Sequence, residues 1–325
     1  MGNMMNNPMR IDPGLTANRI QDYMRRTVQD NNADGIILGL SGGLDSMLLA
    51  TLAVKALGKD KVHAYFLGDR DSDKRSLWMA RKGARWLGID LRIRPITSVM
   101  KRQRVYSTPI MKVVKHSRRV NQDLINATYA RLFGDTPFMT TLKMGAGEYS
   151  GSGFQSFMYN NTVQRIENGF YARHRFRKVF LEKEAKKRNL VLMGAANLSE
   201  CEMGWFVKDG VDDLPISPMM CLYKTQVRQL ARYLGIPRPF ISQAPSPDMI
   251  KGITDEMAMG VLYSRIDFIL DGFDKGVSDS QLIKSGIKKH DIQLVREIHK
   301  YSEWKRRSYH VEPPVDGRLG GGLRV

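Results

Sequence analysis

A chain of 325 residues with 42% hydrophobic content is long enough to bury one large core, and it contains no apolar run of the length, about 18 residues, that a membrane span requires. Its 51 Lys and Arg against 33 Asp and Glu leave a formal charge of +18. That charge suits polyphosphate ligands or nucleic acid, although no RNP1 motif for reading RNA accompanies it.

Residues 1–14, rich in Met and Asn, read as a flexible lead without the apolar core of an export signal, so the expected location is the cytoplasm. Thr16 to Gln29 has helical spacing through Ile20, Tyr23, Met24 and Val28. The segment Ile36 to Leu49, IILGLSGGLDSMLL, then carries a buried strand, a glycine-rich turn and a helix predicted over Met47 to Leu57. Strand, turn and helix in this order aim free backbone N–H groups and a positive helix end at an anion. Gly42 and Gly43 permit close backbone approach, and Ser41 and Ser46 offer hydroxyls. Asp45 would repel a bare phosphate, so it calls for an intervening Mg²⁺. The turn lacks the lysine of a Walker loop, which excludes that class.

Val62 to Leu67 and Leu91 to Ile96 read as further strands, with a helix over Leu77 to Leu87 between them. Residues 100–160 have no clean period; Lys101, Arg102, Arg104, Lys112, Lys115, Arg118 and Arg119 alternate with apolar residues, and Gly145 to Gly153 is a loop by composition. This stretch reads as an insertion. Order returns with a helix over Tyr171 to Lys187, a strand over Asn189 to Met193, and helices over Lys224 to Leu234, Asp255 to Leu270 and about Asp291 to Arg307. The tail after Pro313 reads as mobile. Alternating strands and helices give an α/β fold: a doubly wound parallel sheet with helices on both faces, an inserted segment and a helical C-terminal part, all in one domain over 1–325. Cys201 and Cys221 form no C-x-x-C and read as buried free thiols.

SGGLDS resembles the pyrophosphate loop of the N-type ATP pyrophosphatases, whose fold is adenine nucleotide α-hydrolase-like. The loop is followed by ARHRF (Ala172 to Phe176), VLMGAANLSE (Val191 to Glu200), LYKTQVRQLARYLGIP (Leu222 to Pro237), APSPDM (Ala244 to Met249) and TDEMAMGVLYSRID (Thr254 to Asp267). In this order the series resembles the NAD⁺ synthetase family, of the ammonia-dependent type without a glutaminase.

The resemblance implies ATP and ammonia as substrates, Mg²⁺, a homodimer, and a carboxylate acceptor, deamido-NAD, which is adenylated and then amidated. Gly39, Leu40, Ser41, Gly42, Gly43, Leu44, Asp45, Ser46, Ala195, Lys224 and Ser246 match its ATP-binding positions. Asp45 and Glu200 match its metal carboxylates, with Asp45, Glu200 and Lys224 as the catalytic set. Arg173, Lys208, Trp304 and Lys305 match acceptor-binding positions. Departures concentrate on the acceptor side. Gly169 replaces the motif asparagine, Trp304 the terminal histidine, and Val211 and Pro215 two aspartates of the loop after Lys208; Ala195 replaces a threonine on the ATP side. Two further readings stay open on sequence: a paralogue amidating another carboxylate, and a tRNA-modifying ATP pyrophosphatase favoured by the charge.

Overall fold

The computed structural model describes residues 9–109, 111, 129–247 and 252–306. Asp12 caps the first helix, α1 (Pro13–Asp30), by accepting the Leu15 N–H at 2.9 Å, and Pro13 opens it where no N–H partner is needed. The end of the supposedly flexible lead is in fact anchored. Met9 and Ile11 are buried, and Gln229 donates to the Met9 carbonyl at 2.7 Å and accepts from the Ile11 N–H at 3.3 Å. Residues 1–8 lie outside the described residues, as do Lys112, Lys115, Arg118, Arg119 and the tail from residue 307.

Next come β1 (Gly35–Gly39), α2 (Leu44–Leu57), β2 (Val62–Phe66), α3 (Lys74–Leu87), β3 (Leu91–Ile93) and α4 (Thr97–Arg102). Three short helices, α5 (Tyr129–Phe133), α6 (Pro137–Gly145) and α7 (Gly153–Asn161), precede the 25-residue α8 (Val163–Lys187) and β4 (Leu190–Leu192). The remainder is helical: α9 (Leu198–Glu202), α10 (Lys224–Tyr233), α11 (Arg238–Ile241), α12 (Asp255–Met259), α13 (Tyr263–Asp274), α14 (Asp279–Lys284), α15 (Lys289–Tyr301) and α16 (Glu303–Arg306).

The four strands are parallel in the order β3-β2-β1-β4, with Ile36 opposite both Val62 and Val191. Alternation along the strands serves two cores. Ile36, Leu38, Val62, Ala64 and Val191 pack with α1, α2, α3 and α10 on one face; Ile37, Tyr65 and Leu190 pack with α4 and α8 on the other. The sheet is doubly wound, and β1 sits at its switch point, where ligands collect beyond the strand ends. A third core joins α13 and α15 to Met139 and Leu142 of α6, so this part of the irregular stretch belongs to the C-terminal helical layer.

Two expected helices are broken. Asp255 to Leu270 divides where Gly260 takes φ +78° and ends α12, and Leu262 then caps α13. The terminal helix divides at Ser302. Conversely, α8 begins eight residues before Tyr171, because Val163 and Ile166 continue its buried stripe.

Candidate active site

A cleft of about 650 Å³ opens at the carboxyl ends of β1, β2 and β4, where Gly39, Phe66 and Met193 line it. Between β1 and α2 the SGGLDS turn is braced by its own hydroxyls. Ser46 Oγ donates to the Gly43 carbonyl at 3.1 Å and accepts from the Ser41 N–H at 3.2 Å, and the two serine Oγ atoms are 3.0 Å apart. The serines therefore shape the loop. Gly42 takes φ +89°, and a Cβ there would lie 2.3 Å from the Ser76 carbonyl oxygen, so this glycine serves the approach of the loop to α3. Gly42 does not line the cleft; Gly39, Leu40, Ser41, Gly43, Leu44, Asp45, Ser46, Ala195, Lys224 and Ser246 do. Gly43 caps α2 without a side-chain bond, which leaves the first N–H groups of a 14-residue helix open to an anion.

Lys224 is the hub. It opens α10, is 2% exposed, and donates through Nζ to Asp45 Oδ2 at 2.6 Å and Glu200 Oε1 at 2.9 Å. Its backbone N–H donates to Ser199 Oγ at 2.8 Å, and that hydroxyl donates to Asp267 Oδ1 at 2.5 Å. Asp267 Oδ2 accepts the Thr225 N–H at 2.7 Å. Asn197 has two tasks: its Oδ1 accepts the Glu200 N–H at 3.1 Å as the cap of α9, while its Nδ2 donates to Asp45 Oδ1 at 3.0 Å. Three segments distant in sequence are thus fixed around one ammonium.

The electrostatics follow from burial. Desolvation opposes the Lys224 charge, but Asp45, Glu200 and Asp255 outweigh it and hold its pKa above the ordinary lysine value. Burial pushes Glu200 up to about 8, against Lys224 and aided by Asp45 and Asp255. Burial likewise raises Asp255 to about 6, with Lys224 and a hydrogen bond from Tyr263 Oη to Oδ2, at 3.1 Å, opposing. Asp267 is raised to about 6 by burial against its bond from Ser199. Ser246 donates to the Ile253 carbonyl at 3.0 Å.

A family model described as NAD synthase matches residues 16–127 and 149–309. The chain belongs to the NAD synthase family. It is 33% identical over 289 residues to the NH(3)-dependent NAD(+) synthetase of Thermotoga neapolitana, covering 89% of this chain and 93% of that relative. It is 30% identical over 290 residues to the protein of that name from Methanocaldococcus jannaschii, covering 89% and 93%. In fold it is similar to the NMN synthetase of Francisella tularensis, with TM-score 0.63, 22% identity and coverage of 92% and 97%. The NH3-dependent NAD synthetase of Campylobacter jejuni gives TM-score 0.60, 19% identity and coverage of 93% and 99%. The family match leaves residues 128–148 uncovered, a shorter stretch than the 100–160 insertion expected from the sequence.

The residues matched to the family's acceptor side do not line the cleft. Arg173 is fully buried; it donates to the Gly169 carbonyl at 2.9 Å, Asp69 at 3.1 Å and Asp71 at 3.4 Å, and its Nη2 has no hydrogen-bond partner among the described residues. Lys208, Trp304 and Lys305 gather elsewhere. Lys208 donates to the Trp304 carbonyl at 3.1 Å, Trp304 Nε1 donates to the Leu142 carbonyl at 3.2 Å, and Lys305 donates to the Gly204 carbonyl at 2.5 Å. Burial lowers Lys305 to about 8, with Glu167, Asp212 and Asp213 opposing.

Sequence reasoning missed Asp255, Asp267, Asn197 and the pair His174 and Asp212. The first two stand in TDEMAMG and YSRID, but acids near helix starts are ordinary in sequence. Only the fold turns them toward Lys224.

Proposed function

We propose that the chain is an ATP-dependent C–N ligase that adenylates the nicotinate carboxylate of deamido-NAD, releases pyrophosphate, and lets ammonia displace AMP to give NAD. The observation that carries this reading is the convergence of Asp45, Glu200 and Lys224 beside the SGGLDS loop, in a chain of the NAD synthase family. A carboxylate resists ammonia because oxide is a poor leaving group, whereas AMP leaves readily. Forming the adenylate requires an acceptor oxygen to attack the α-phosphorus while the bond to the pyrophosphate oxygen breaks. That step concentrates charge on the departing phosphates, and preorganised donors are the means of stabilising it.

The chain's own groups divide the work. The SGGLDS backbone and the open N–H groups of α2 receive phosphate oxygens, and Lys224 donates to the charge that grows on pyrophosphate. Asp45 and Glu200 fit Mg²⁺: two hard oxygen donors from separate segments already converge on a cation. Among the described residues no group of three or more His, Cys, Asp or Glu is placed to hold a metal, which suits an ion that takes its other ligands from phosphate and water. Bound there, Mg²⁺ would neutralise the polyphosphate as a Lewis acid. Arg173, Lys208, Trp304 and Lys305 are assigned to the acceptor side. A cytoplasmic homodimer, each chain one domain over residues 1–325, completes the proposal; no described helix is long and apolar enough to cross a membrane.

A second reading, amidation of a different carboxylate, draws on the altered acceptor side. Trp304 packs over Gly145, where a side chain would strike its ring, and Val211 lines the cleft beside Asp212. The test is incubation with MgATP, ammonium and deamido-NAD. Equal yields of AMP, pyrophosphate and NAD support the first reading. AMP release only on addition of a metabolite extract selects the second, and AMP release stimulated by tRNA would displace both.

A further inference from the structure

Helix α8 is about 37 Å long, far longer than the strands it covers. Leu181 lies level with the end of β1, 3.8 Å from where a Gly39 Cβ would stand, and one turn nearer the helix start Arg177 Nε donates to the Leu67 carbonyl at 2.9 Å. The next turn overhangs the strand ends and carries His174 into the cleft wall, beside Val211 and Asp212.

There His174 Nδ1 lies 2.9 Å from Asp212 Oδ1. The other carboxylate oxygen of Asp212 accepts the Val207 N–H at 3.0 Å, so the acid is held by backbone as well as by imidazole. Burial works against the Asp212 anion, but His174 and the Val207 N–H outweigh it and hold its pKa below the ordinary value. A carboxylate on Nδ1 selects the tautomer with its proton there and leaves the Nε2 lone pair as an acceptor. His174 shows no other hydrogen bond among the described residues.

We propose that His174, oriented by Asp212, is the general base for the nitrogen nucleophile. This rests on the amidation reading. Near neutral pH the nitrogen arrives mostly as ammonium, which has no lone pair to attack with. One ammonium proton passes to Nε2, leaving ammonia and an imidazolium that Asp212 stabilises. The ammonia lone pair forms the C–N bond to the acyl carbon, the acyl C–O bond to phosphate breaks, and AMP leaves with that electron pair. The nitrogen sheds its second proton to solvent.

The other acids of the cleft are engaged or face another cation. Asp45 and Glu200 hold Lys224, and Asp71 holds Arg70 and Arg173. Asp73 caps α3, and Asp255 faces Lys224 beside Tyr263. Around the dyad, Arg175 is paired outward with Asp209 at 2.9 Å, Lys305 lies on the Asp212 side, and Arg177 is on the Leu67 carbonyl.

The experiment uses the full-length protein with MgATP and deamido-NAD, comparing wild type with H174A, H174Q and D212N. Two quantities are read: ATP–pyrophosphate exchange, which reports adenylation, and amide formation from ammonium or hydroxamate formation from hydroxylamine. Hydroxylamine is already unprotonated at neutral pH and needs no base to free its lone pair. Relative to exchange, amide formation by H174A should fall about 10²-fold with ammonium, much less with hydroxylamine, and the deficit should narrow as pH rises. D212N should lie between H174A and wild type. Equal losses with both nucleophiles, or exchange and amidation falling together in H174A and H174Q alike, would overturn the assignment while leaving the amidation reading intact. Absence of exchange in the wild type would overturn both.

Discussion

Replacing Lys224 by Met would leave Asp45 and Glu200 facing one another with no cation between them. Breaking a buried pair from one side costs about 3–5 kcal/mol, and the partial exposure of the two acids, 21% and 17%, places this one at the low end. K224M should therefore lower the urea midpoint and cut ATP–pyrophosphate exchange by about 10²-fold or more. Adding D45N should restore much of the stability and none of the exchange, which separates charge balance from chemistry. At this scale the sequence was legible where a residue sits in a short contiguous motif, as Asp45, Glu200 and Lys224 do. It was silent where a common residue acquires meaning from a distant segment. Asp267 reads as one acid on an amphipathic helix until Ser199 and the backbone of α10 are brought against it.

The elements tell a similar story about local and tertiary information. β1, α2 and α3 follow from apolar runs, helical spacing and glycine stops that act over a few residues. The break at Gly260 was hidden because apolar residues on both sides keep helical spacing, and only the left-handed backbone of that glycine ends α12. In α8, Arg173 Nη2 has no acceptor among the described residues and lies 3.5 Å from where a Cβ on residue 169 would stand. The other neighbours there, Val105 and Met111, are at ordinary contact distances of 3.5 and 3.9 Å. G169N supplies both an acceptor and a better helix former, so it should stabilise the protein by about 1 kcal/mol in urea unfolding. G169A, which adds a helix-propensity gain of about 0.5–1 kcal/mol but no acceptor, gives the reference against which the acceptor's share is read.

For the whole molecule, acid stability is set by the carboxylates that the helical layer buries. Asp255 and Asp267, raised to about 6 from an ordinary 3.8, bind more protons folded than unfolded between those values. Their contribution to stability is therefore greatest below about pH 4 and declines as pH rises to about 6. Urea midpoints across that range should fall in the wild type and fall less in D255N. Asp69 and Asp212, held low by Arg173 and His174 against their burial, act with the opposite sign, but below this window. The formal charge of +18 will attract polyanions to the surface, and added salt will screen that attraction. The cluster at the strand ends behaves differently. The cation between Asp45 and Glu200 is tied to the chain by its own stem, so dilution, dialysis or high salt cannot wash it out. An arriving nucleotide must bargain with a resident, tethered counter-ion whose local concentration the solution does not set.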